Sequence, residues 1–459
     1  MDRAPDPFAD LVAGLRATFQ SGRTRPLEWR RRQLHGIARM MQERETELVA
    51  ALVEDLRKPL QEAWMAELSF VQGEASYASR QLSRWAAPRR VRTPLVGQPG
   101  RSEILPEPLG VGLIIGAWNY PIQGTLGPLV GALAAGCCAI VKPSEVSAAT
   151  SHAIARLLPL YVEPDAVAVV EGGVDETGAL LQQRFDRIVY TGNGTVGRIV
   201  MAAAAKHLTP VTLELGGKSP CIVTRRADLE SAARRIAWGK WLNAGQTCIA
   251  PDYLLVEQGL GPTLVERLRA QVAKMYGENP QRSPDFARIV NARHLRRIAR
   301  YLEAGRVAFG GEIDPDDRYV APTVMLDVPP DAPAMTEEIF GPVLPIVEVP
   351  DLDAAIRWVV EREKPLALYV FGSADEGDEV VARTSAGQVC VNDTMMFMAV
   401  PGLPFGGVGA AGTGSYTGPH GFETFSHAKP VMRRGRMLDL DARYPPYTAG
   451  KLRLLRRVR

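Results

Sequence analysis

Residues 243–250, which read NAGQTCIA, contain a candidate nucleophile. Cys248 follows a small Ala244-Gly245 pair and two hydrogen-bonding residues, Gln246 and Thr247. A free cysteine is most often an inert core residue, so this stretch alone leaves a structural role open. The chemical alternative is a thiolate that adds to an electrophilic carbon, such as a carbonyl.

A glycine pattern lies in FDRIVYTGNGTVGRIVMAAAA, between a predicted strand and a predicted helix. Gly192, Gly194 and Gly197 would let the backbone approach a pyrophosphate at the helix N-terminus, where N–H groups and partial positive charge favour anions. This context predicts a dinucleotide site. The same spacing at residues 407–412 lacks a preceding strand, which favours a flexible loop there.

Two carboxylates compete for the ribose of such a dinucleotide. Glu214 lies 20 residues after Gly194, close to the spacing of a ribose ligand. Glu145, in IVKPSE, follows another predicted strand, and Lys142 beside it could meet a phosphate or a hydroxyl. Spacing leaves both carboxylates open as the ribose ligand, and an exposed Lys142–Glu145 pair without function is a further alternative.

Composition narrows the class of protein. The chain has 459 residues, long enough for two domains, with 46% hydrophobic and 23% charged residues, as in globular enzymes. Its 54 basic and 51 acidic residues nearly cancel, so no nucleic-acid partner is expected. The five cysteines fit neither a disulfide framework nor a zinc site. We therefore expect a reducing, cytoplasmic setting and no metal.

The elements that must position these residues alternate between strand and helix. Residues 8–87 show helical periodicity, and a polar segment that could form a projecting arm follows them. Then come the predicted strands VGLIIGA, CAIVK, AVAVVEGG, RIVYTG and VTLELGG. A second series begins near Ser219, with PCIVT, DYLLVEQ, PTVMLDV, PIVEV, LALYVFG and GQVCVND. Alternation of this kind predicts two α/β layers built on parallel sheets.

Residues 108–141 contain no charged side chain, and a stretch of this length could in principle span a membrane. Glycines, prolines, Asn119 and Gln123 interrupt the apolar run. A buried strand–helix–strand unit explains this pattern better, because strands covered on both faces are apolar throughout. No membrane span is predicted.

Seven motifs occur in a fixed order over about 300 residues: WNYP, VKPSE, YTGNGTVG, LELGGKSP, NAGQTC, EEIFGPV and LPFGGVG. Together they resemble the NAD(P)-dependent aldehyde dehydrogenase superfamily, and WNYPIQGTLGPLVGALAAG and GSYTGPHGFETFSH are similar to its class 3 branch. The resemblance implies a Rossmann-like cofactor domain over 1–211, with 89–107 as the arm, and an α/β catalytic domain over 212–422. Residues 423–459 would form a bridging strand and a tail.

The resemblance also implies roles for individual residues. The catalytic ones would be the nucleophile Cys248, the general base Glu214 and the oxyanion donor Asn119. The cofactor residues would be Lys142 and Glu145 at the adenosine ribose, Gly192, Asn193 and Gly197 at the phosphates, Glu338 and Phe340 at the nicotinamide ribose and ring, and Trp118 nearby. Asn193 departs from the serine usual in the family but can still donate a hydrogen bond.

The activity so implied is oxidation of an aromatic or medium-chain aliphatic aldehyde to the carboxylic acid. NAD would be the cofactor, with NADP as a second one that the enzyme accepts. Cys248 would form a thiohemiacetal, hydride would leave, and Glu214 would assist hydrolysis of the thioester. Nearby donors are expected to lower the pKa of the thiol. The alternatives are a coenzyme A-acylating dehydrogenase and a non-catalytic relative that serves in structure or binding.

Some expectations concern the surroundings of the site. Tyr120, Leu242 and the residues near Val400 are possible walls of the aldehyde pocket. The class 3 resemblance suggests a homodimer that exchanges a late strand near ETFSHAKPVM. The basic C-terminal stretch is expected to be solvated or to cover a subunit, with a membrane-surface role as the alternative.

Overall fold

The computed structural model describes residues 7–435 and 439–457, apart from the side chain of Val96. The predicted helical N-terminal region is confirmed. Its elements are the helices Ala9–Gln20, Leu27–Glu43, Glu45–Leu56, Leu60–Ala63 and Ser69–Trp85, with the π-helical turn Trp64–Leu68 before the last. Two helices with apolar faces, Leu27–Glu43 and Ser69–Trp85, pack on each other and on the helix Gln123–Ala135, while Ala9–Gln20 packs on strands of the first sheet. The buried side of this layer thus becomes part of the first core.

The first sheet has six strands, and the five predicted from the sequence are parallel. In sheet order the strands are Gly412–Thr413, Val211–Glu214, Arg187–Thr191, Val111–Ile115, Cys138–Lys142 and Val167–Val169. The helices between them are Gln123–Ala135, Ala148–Leu157, Val174–Leu180 and Gly194–Ala205. The strand order reverses beside Val111–Ile115, and ligands of open parallel sheets bind at such a point, beyond the carboxyl ends of the strands.

The second sheet has seven strands, which are parallel except at one edge. In sheet order they are Arg306–Phe309, Thr323–Leu326, Val343–Val349, Tyr253–Glu257, Pro220–Val223, Ala367–Phe371 and Gln388–Val391. Its helices are Leu229–Trp241, Gly261–Tyr276, Ala292–Tyr301, Pro333–Thr336, Leu352–Val360 and Ala374–Arg383. A two-stranded ribbon, Ile313–Asp314 with Tyr319–Val320, lies outside it. Each large sheet is buried in its own hydrophobic cluster, so the prediction of two α/β layers is confirmed.

The predicted arm forms a third, antiparallel sheet of the strands Arg89–Val91, Gly100–Pro108 and Ser426–Arg434. The helices Gly418–Thr424 and Ala449–Arg457 flank the last strand along the chain. The predicted boundary at 211/212 falls inside the first sheet, since Val211–Glu214 pairs there and Gly412–Thr413 returns to it. The domain boundaries stay predictions.

The apolar stretch 108–141 folds as predicted into a strand, a helix and a strand, with the strands buried at every position. In residues 7–435 and 439–457, no helix combines the length and the apolar character that crossing a bilayer requires.

Candidate active site

The loop before Cys248 is held in an unusual backbone conformation. Asn243, Ala244 and Gly245 all have positive φ angles, of 52°, 52° and 74°. A Cβ on Gly245 would overlap the carbonyl of Gly341, so only glycine allows the loop to approach the EEIFGP segment this closely. The buried Gln246 amide donates to the carbonyls of Asn243 (3.0 Å) and Arg288 (2.9 Å), which fixes the turn. The strain is thereby concentrated immediately before the candidate nucleophile.

Cys248 is partly buried, and two carboxylates stand close to its sulfur. Burial, followed by the charges of Glu338 and Glu214, raises the pKa of the Cys248 thiol well above its usual range. The backbone N–H groups of Cys248 and Ile249 act in the opposite direction but do not outweigh the burial. The expected lowering of this pKa is therefore wrong for the protein without ligands, because desolvation and two acids dominate the N–H donors.

Asn119 is buried and lies against the nucleophile loop. Its side-chain amide donates to the carbonyl of Gln246 at 3.1 Å, two residues before Cys248. An amide group has two N–H bonds, so one hydrogen remains for another acceptor. The loop WNYP, which follows the strand Val111–Ile115, thus brings the predicted oxyanion donor to the predicted nucleophile.

A buried ion pair holds the backbone of the WNYP loop. Lys58 and Glu67 are both fully buried and lie 2.6 Å apart. The Lys58 ammonium also donates to the backbone carbonyl of Asn119 at 2.9 Å, and Glu67 accepts from the N–H groups of Ile122 and Gln123, each at 2.9 Å. Glu67 belongs to a π-helical turn, a feature often found at functional sites. The pair therefore fixes the backbone that carries Asn119.

Replacing Lys58 with methionine is expected to destabilise the protein and to slow turnover. The change leaves the buried Glu67 carboxylate without its cation, which typically costs about 3–5 kcal/mol. The double variant Lys58→Met/Glu67→Gln should recover part of that loss, because a neutral amide can stay buried. Urea unfolding of the wild type, both single variants and the double variant measures the coupling. If the two single substitutions changed the free energy of unfolding additively, the proposed coupling between Lys58 and Glu67 would be contradicted.

Glu214 ends the strand Val211–Glu214 and is almost completely buried, 2% exposed. Among the residues that the structure describes, neither of its carboxylate oxygens has a hydrogen-bond partner, although the Gly407 backbone is near enough to favour the charged form slightly. Burial dominates and raises the pKa of Glu214 well above its usual value. A buried carboxylate of this kind, next to a thiol, suits a proton acceptor better than a structural ion pair.

Glu338 approaches the same site from the second sheet. Its carboxylate packs directly on the backbone of Gly216, two residues after Glu214. Burial and the neighbouring Asp252 raise the pKa of Glu338 to about 8, although the backbone N–H of Gly217 favours the charged form.

One arginine holds the backbone of this segment. The Arg297 guanidinium donates to the carbonyls of Glu338 (3.1 Å), Ile339 (2.8 Å) and Phe340 (3.2 Å). It stabilises the positive φ of Phe340, 45°, which is costly for an aromatic residue. Arg297 is thus a positioning residue for two predicted cofactor contacts.

Three rings join the loops from the two sheets. Trp118 meets Phe340 edge-on, with ring centroids 5.3 Å apart, and lies 4.9 Å from the ring of His294. Burial and two neighbouring arginines lower the pKa of His294 to about 4, so its imidazole is neutral at pH 7. The predicted cofactor residues Trp118 and Phe340 are therefore in contact, and His294 joins them.

Lys142 and Glu145 form a second group at the end of the strand Cys138–Lys142. The buried Lys142 ammonium donates to the carbonyl of Pro143 at 3.1 Å and to Glu145 at 3.0 Å. The Glu145 side chain is 49% exposed. Burial, with a smaller contribution from the charge of Glu145, raises the pKa of the Tyr190 hydroxyl to about 12. The pair lies at the carboxyl edge of the first sheet, where a ribose could meet it.

The glycine turn adjoins this pair. Asn193 is the N-cap of the helix Gly194–Ala205, and its side-chain oxygen accepts from the Val196 N–H at 3.0 Å. A Cβ on Gly197 would come within 2.8 Å of the Leu215 side chain, and one on Gly192 would overlap the Tyr190 hydroxyl. Only glycine keeps this turn tight. Its helix N-terminus leaves N–H groups for an anion, so the residues fit a dinucleotide phosphate.

The predicted residues thus fall into two groups. Glu214 and Glu338 lie close to the Cys248 thiol, Asn119 contacts the loop before it, and the Trp118–Phe340 contact adjoins Asn119 and Glu338 along the chain. Lys142, Glu145 and the glycine turn lie at the ends of the neighbouring strands. The groups touch where the Gly192 N–H donates to the carbonyl of Glu214 at 2.9 Å. No set of three possible metal-ligating side chains occurs within the part of the chain that the structure describes.

Of the predicted pocket walls, Tyr120 contacts the nucleophile loop. Its hydroxyl shares a hydrogen bond with Thr247 at 2.7 Å, and its ring lies under the Lys58 ammonium at 4.2 Å. Leu242 is buried at the start of that loop. Val400 lines a small cavity beside the buried Glu74, together with apolar residues that include Phe397, Leu403 and Phe405.

Several residues of the site escaped sequence reasoning: Lys58, Glu67, Asn243, His294 and Arg297. Each of them lies among similar residues on a predicted helix or in a loop, so the residue type alone did not indicate a role in the site. Only Glu67 had a possible cue, since it interrupts the apolar residues of its helix at a position that proves to be buried.

The structure combines two parallel sheets with a thiol, two carboxylates and an amide beside a glycine turn that fits a dinucleotide phosphate, an arrangement that suits a dinucleotide-dependent oxidoreductase. The model of the aldehyde dehydrogenase family matches residues 7–431. The chain belongs to the aldehyde dehydrogenase family.

Its relatives place it beside class 3. The chain is 51% identical to mouse aldehyde dehydrogenase family 3 member A2, over 96% of this chain and 92% of the relative. It is 47% identical to the dimeric NADP-preferring aldehyde dehydrogenase of the dog, over 97% and 99%. The substrate-bound structure of Staphylococcus aureus AldH matches 97% of this chain and 98% of its own, with a TM-score of 0.94 and 40% identity. The predicted family and fold are confirmed.

Proposed function

We propose that this protein oxidises an aromatic or medium-chain aliphatic aldehyde to the free carboxylic acid, with Cys248 as nucleophile and Glu214 as general base. One observation carries the proposal: the Cys248 thiol shares a buried site with the unpartnered Glu214 carboxylate and the Asn119 amide. A thiol that served only to fill the core would have no need of a buried carboxylate without partners, which is costly to keep.

The residues divide the reaction between them. The Cys248 sulfur adds to the carbonyl carbon, and the oxygen becomes an oxyanion that accepts from the Asn119 amide and the Cys248 N–H. A bound nicotinamide would accept a hydride from that carbon, which would leave a thioester on Cys248. Glu214 takes a proton from water, the resulting hydroxide attacks the thioester, and the acid leaves as the thiol is restored.

The raised pKa values supply the order of proton transfers. Below its raised pKa the Cys248 thiol is protonated, so addition requires loss of that proton to solvent, which leaves Glu214 free to accept a proton from water in the hydrolysis step. Its own raised pKa makes Glu214 a stronger base once it is ionised. The positive charge of an oxidised nicotinamide would favour both ionised forms.

The carboxylate product separates this proposal from coenzyme A acylation. Thioester transfer to coenzyme A needs no water-activating base, whereas Glu214 is retained and buried. Turnover of benzaldehyde and hexanal with NAD, with and without coenzyme A, tests the two. We expect free benzoate and hexanoate in both arms. Acyl-coenzyme A as the main product would favour the acylating alternative, and no NADH with a broad aldehyde panel would favour a non-catalytic relative.

For the cofactor we propose NAD, with NADP accepted less well. Glu145 supports this, because a carboxylate near the ribose 2′-hydroxyl repels a 2′-phosphate. The dog relative is named NADP-preferring, which supports use of both cofactors. Replacing Glu145 with glutamine should raise kcat/KM for NADP relative to NAD about fivefold, since the lost repulsion is on the order of 1 kcal/mol. An unchanged ratio of kcat/KM for NADP to that for NAD would show that Glu145 does not face the 2′-position of the ribose.

We also propose a homodimer in a reducing, cytoplasmic setting. The dog relative is named dimeric, and the late strand Ser426–Arg434 ends a three-stranded sheet from which an exchange could be built. All five cysteines are free thiols, which supports the setting. Light scattering of the purified protein tests the dimer, and a mass of one chain would contradict it.

A further inference from the structure

We infer that Arg293, Arg296 and Arg300 form a phosphate-attracting stripe that speeds capture of the dinucleotide cofactor. The inference rests on the proposed use of NAD(P). All three arginines are exposed on the helix Ala292–Tyr301, at positions three and four residues apart that share a face. None of them has an ion-pair or hydrogen-bond partner within residues 7–435 and 439–457.

The position of the helix links the stripe to the cofactor site. His294 and Arg297 belong to the same helix, and they contact Trp118 and the backbone of Phe340. The stripe adjoins these two residues along an open groove of about 530 Å³, lined by Arg293, His294, Arg296, Arg297, Ala299 and Arg300. Three unpaired cations therefore stand within about one helical turn of His294 and Arg297, the two residues that contact the predicted cofactor residues Trp118 and Phe340.

The neighbouring acid does not neutralise them. Glu337, on the segment next to the helix, accepts a hydrogen bond from the Tyr301 hydroxyl at 2.9 Å, not from the arginines. Arginine is weakly hydrated and matches phosphate oxygens with two parallel N–H bonds, so an unpaired set attracts a dinucleotide more strongly than scattered lysines would. Clefts lined by one sign of charge raise association rates by about 10- to 1,000-fold, and the gain falls with ionic strength.

The test is a stopped-flow measurement of NADH and NADPH association at low and high salt. The triple variant Arg293→Gln/Arg296→Gln/Arg300→Gln is compared with a control, Arg453→Gln/Arg456→Gln/Arg457→Gln, in the helix Ala449–Arg457. These control arginines are also exposed and unpaired within the described residues, and the change in net charge is the same. We expect association of the stripe variant to fall about tenfold at low salt and to converge with wild type at high salt. Dissociation should stay within about twofold, and NADPH should lose more than NADH.

Equal losses in the control would overturn the inference, because net charge alone would then explain them. Unchanged association in the stripe variant would also overturn it while leaving the proposed dehydrogenase activity intact. Failure of the wild type to bind either dinucleotide would overturn both the stripe and the proposed cofactor. Faster dissociation from the stripe variant with unchanged association would show that the arginines hold the bound cofactor instead, and would equally contradict steering.

Discussion

Replacing Cys248 with alanine is expected to abolish aldehyde oxidation, with a loss of at least about 10⁴-fold in kcat/KM, while NADH affinity stays within about threefold. Without the sulfur no thiohemiacetal forms, and hydride cannot leave from an uncatalysed aldehyde hydrate at a comparable rate. The backbone of the loop should survive, because the Gln246 hydrogen bonds hold the positive φ angles of residues 243–245 without the thiol.

Cys390→Ala is the matched control. That thiol is also free and partly buried, but it lies on the edge strand Gln388–Val391 of the second sheet. Activity of the control should be near that of the wild type. Loss of NADH binding in Cys248→Ala would show that the residue is architectural, and equal inactivation of the control would remove the special status of Cys248.

The second large effect concerns Glu214. In the variant Glu214→Gln, we expect a burst of about one NADH per active site, followed by steady-state turnover slowed by roughly 10²- to 10⁴-fold, the usual range for loss of a general base. Glutamine matches the shape of the buried carboxyl group, so addition and hydride transfer can proceed from Cys248. Hydrolysis then stalls at the thioester.

The raised pKa of Glu214 also predicts the direction in which turnover changes with pH. Because burial raises the pKa of Glu214, its carboxyl group is protonated at low pH and becomes a base as pH rises through that value. Steady-state turnover of the wild type should therefore increase with pH, and the variant should lose that dependence in its slow phase. Rapid-quench or stopped-flow NADH formation measures both phases. Equal loss of burst and turnover would assign Glu214 to addition or to the ribose instead.

The sequence predicted the architecture well, because the pattern that identifies each buried strand lies within the strand and its neighbouring residues. Strands such as Val111–Ile115 and Cys138–Lys142 read as short apolar runs bounded by glycine and proline, since they are buried on both faces. Motifs at the strand ends, WNYP and KPSE among them, follow from the same alternation, and the structure brings Asn119 to the Cys248 loop as the motifs imply.

What the sequence could not provide depends on long-range contacts. Lys58 precedes Asn119 by 61 residues, and its burial follows only when the helical layer packs on the first sheet. The raised pKa of Cys248 depends on Glu338, which arrives from the second sheet. The expectation of a lowered pKa weighed the local N–H donors and missed this desolvation and the distant acid.

The most direct test of the central claim is intact and peptide mass spectrometry of Glu214→Gln after one turnover with benzaldehyde and NAD. The account predicts a benzoyl group bound as a thioester, confined to the peptide that contains Cys248, cleaved by hydroxylamine and absent when NAD is omitted. A benzoyl group on another residue, or a full NADH burst without any covalent adduct, would contradict it.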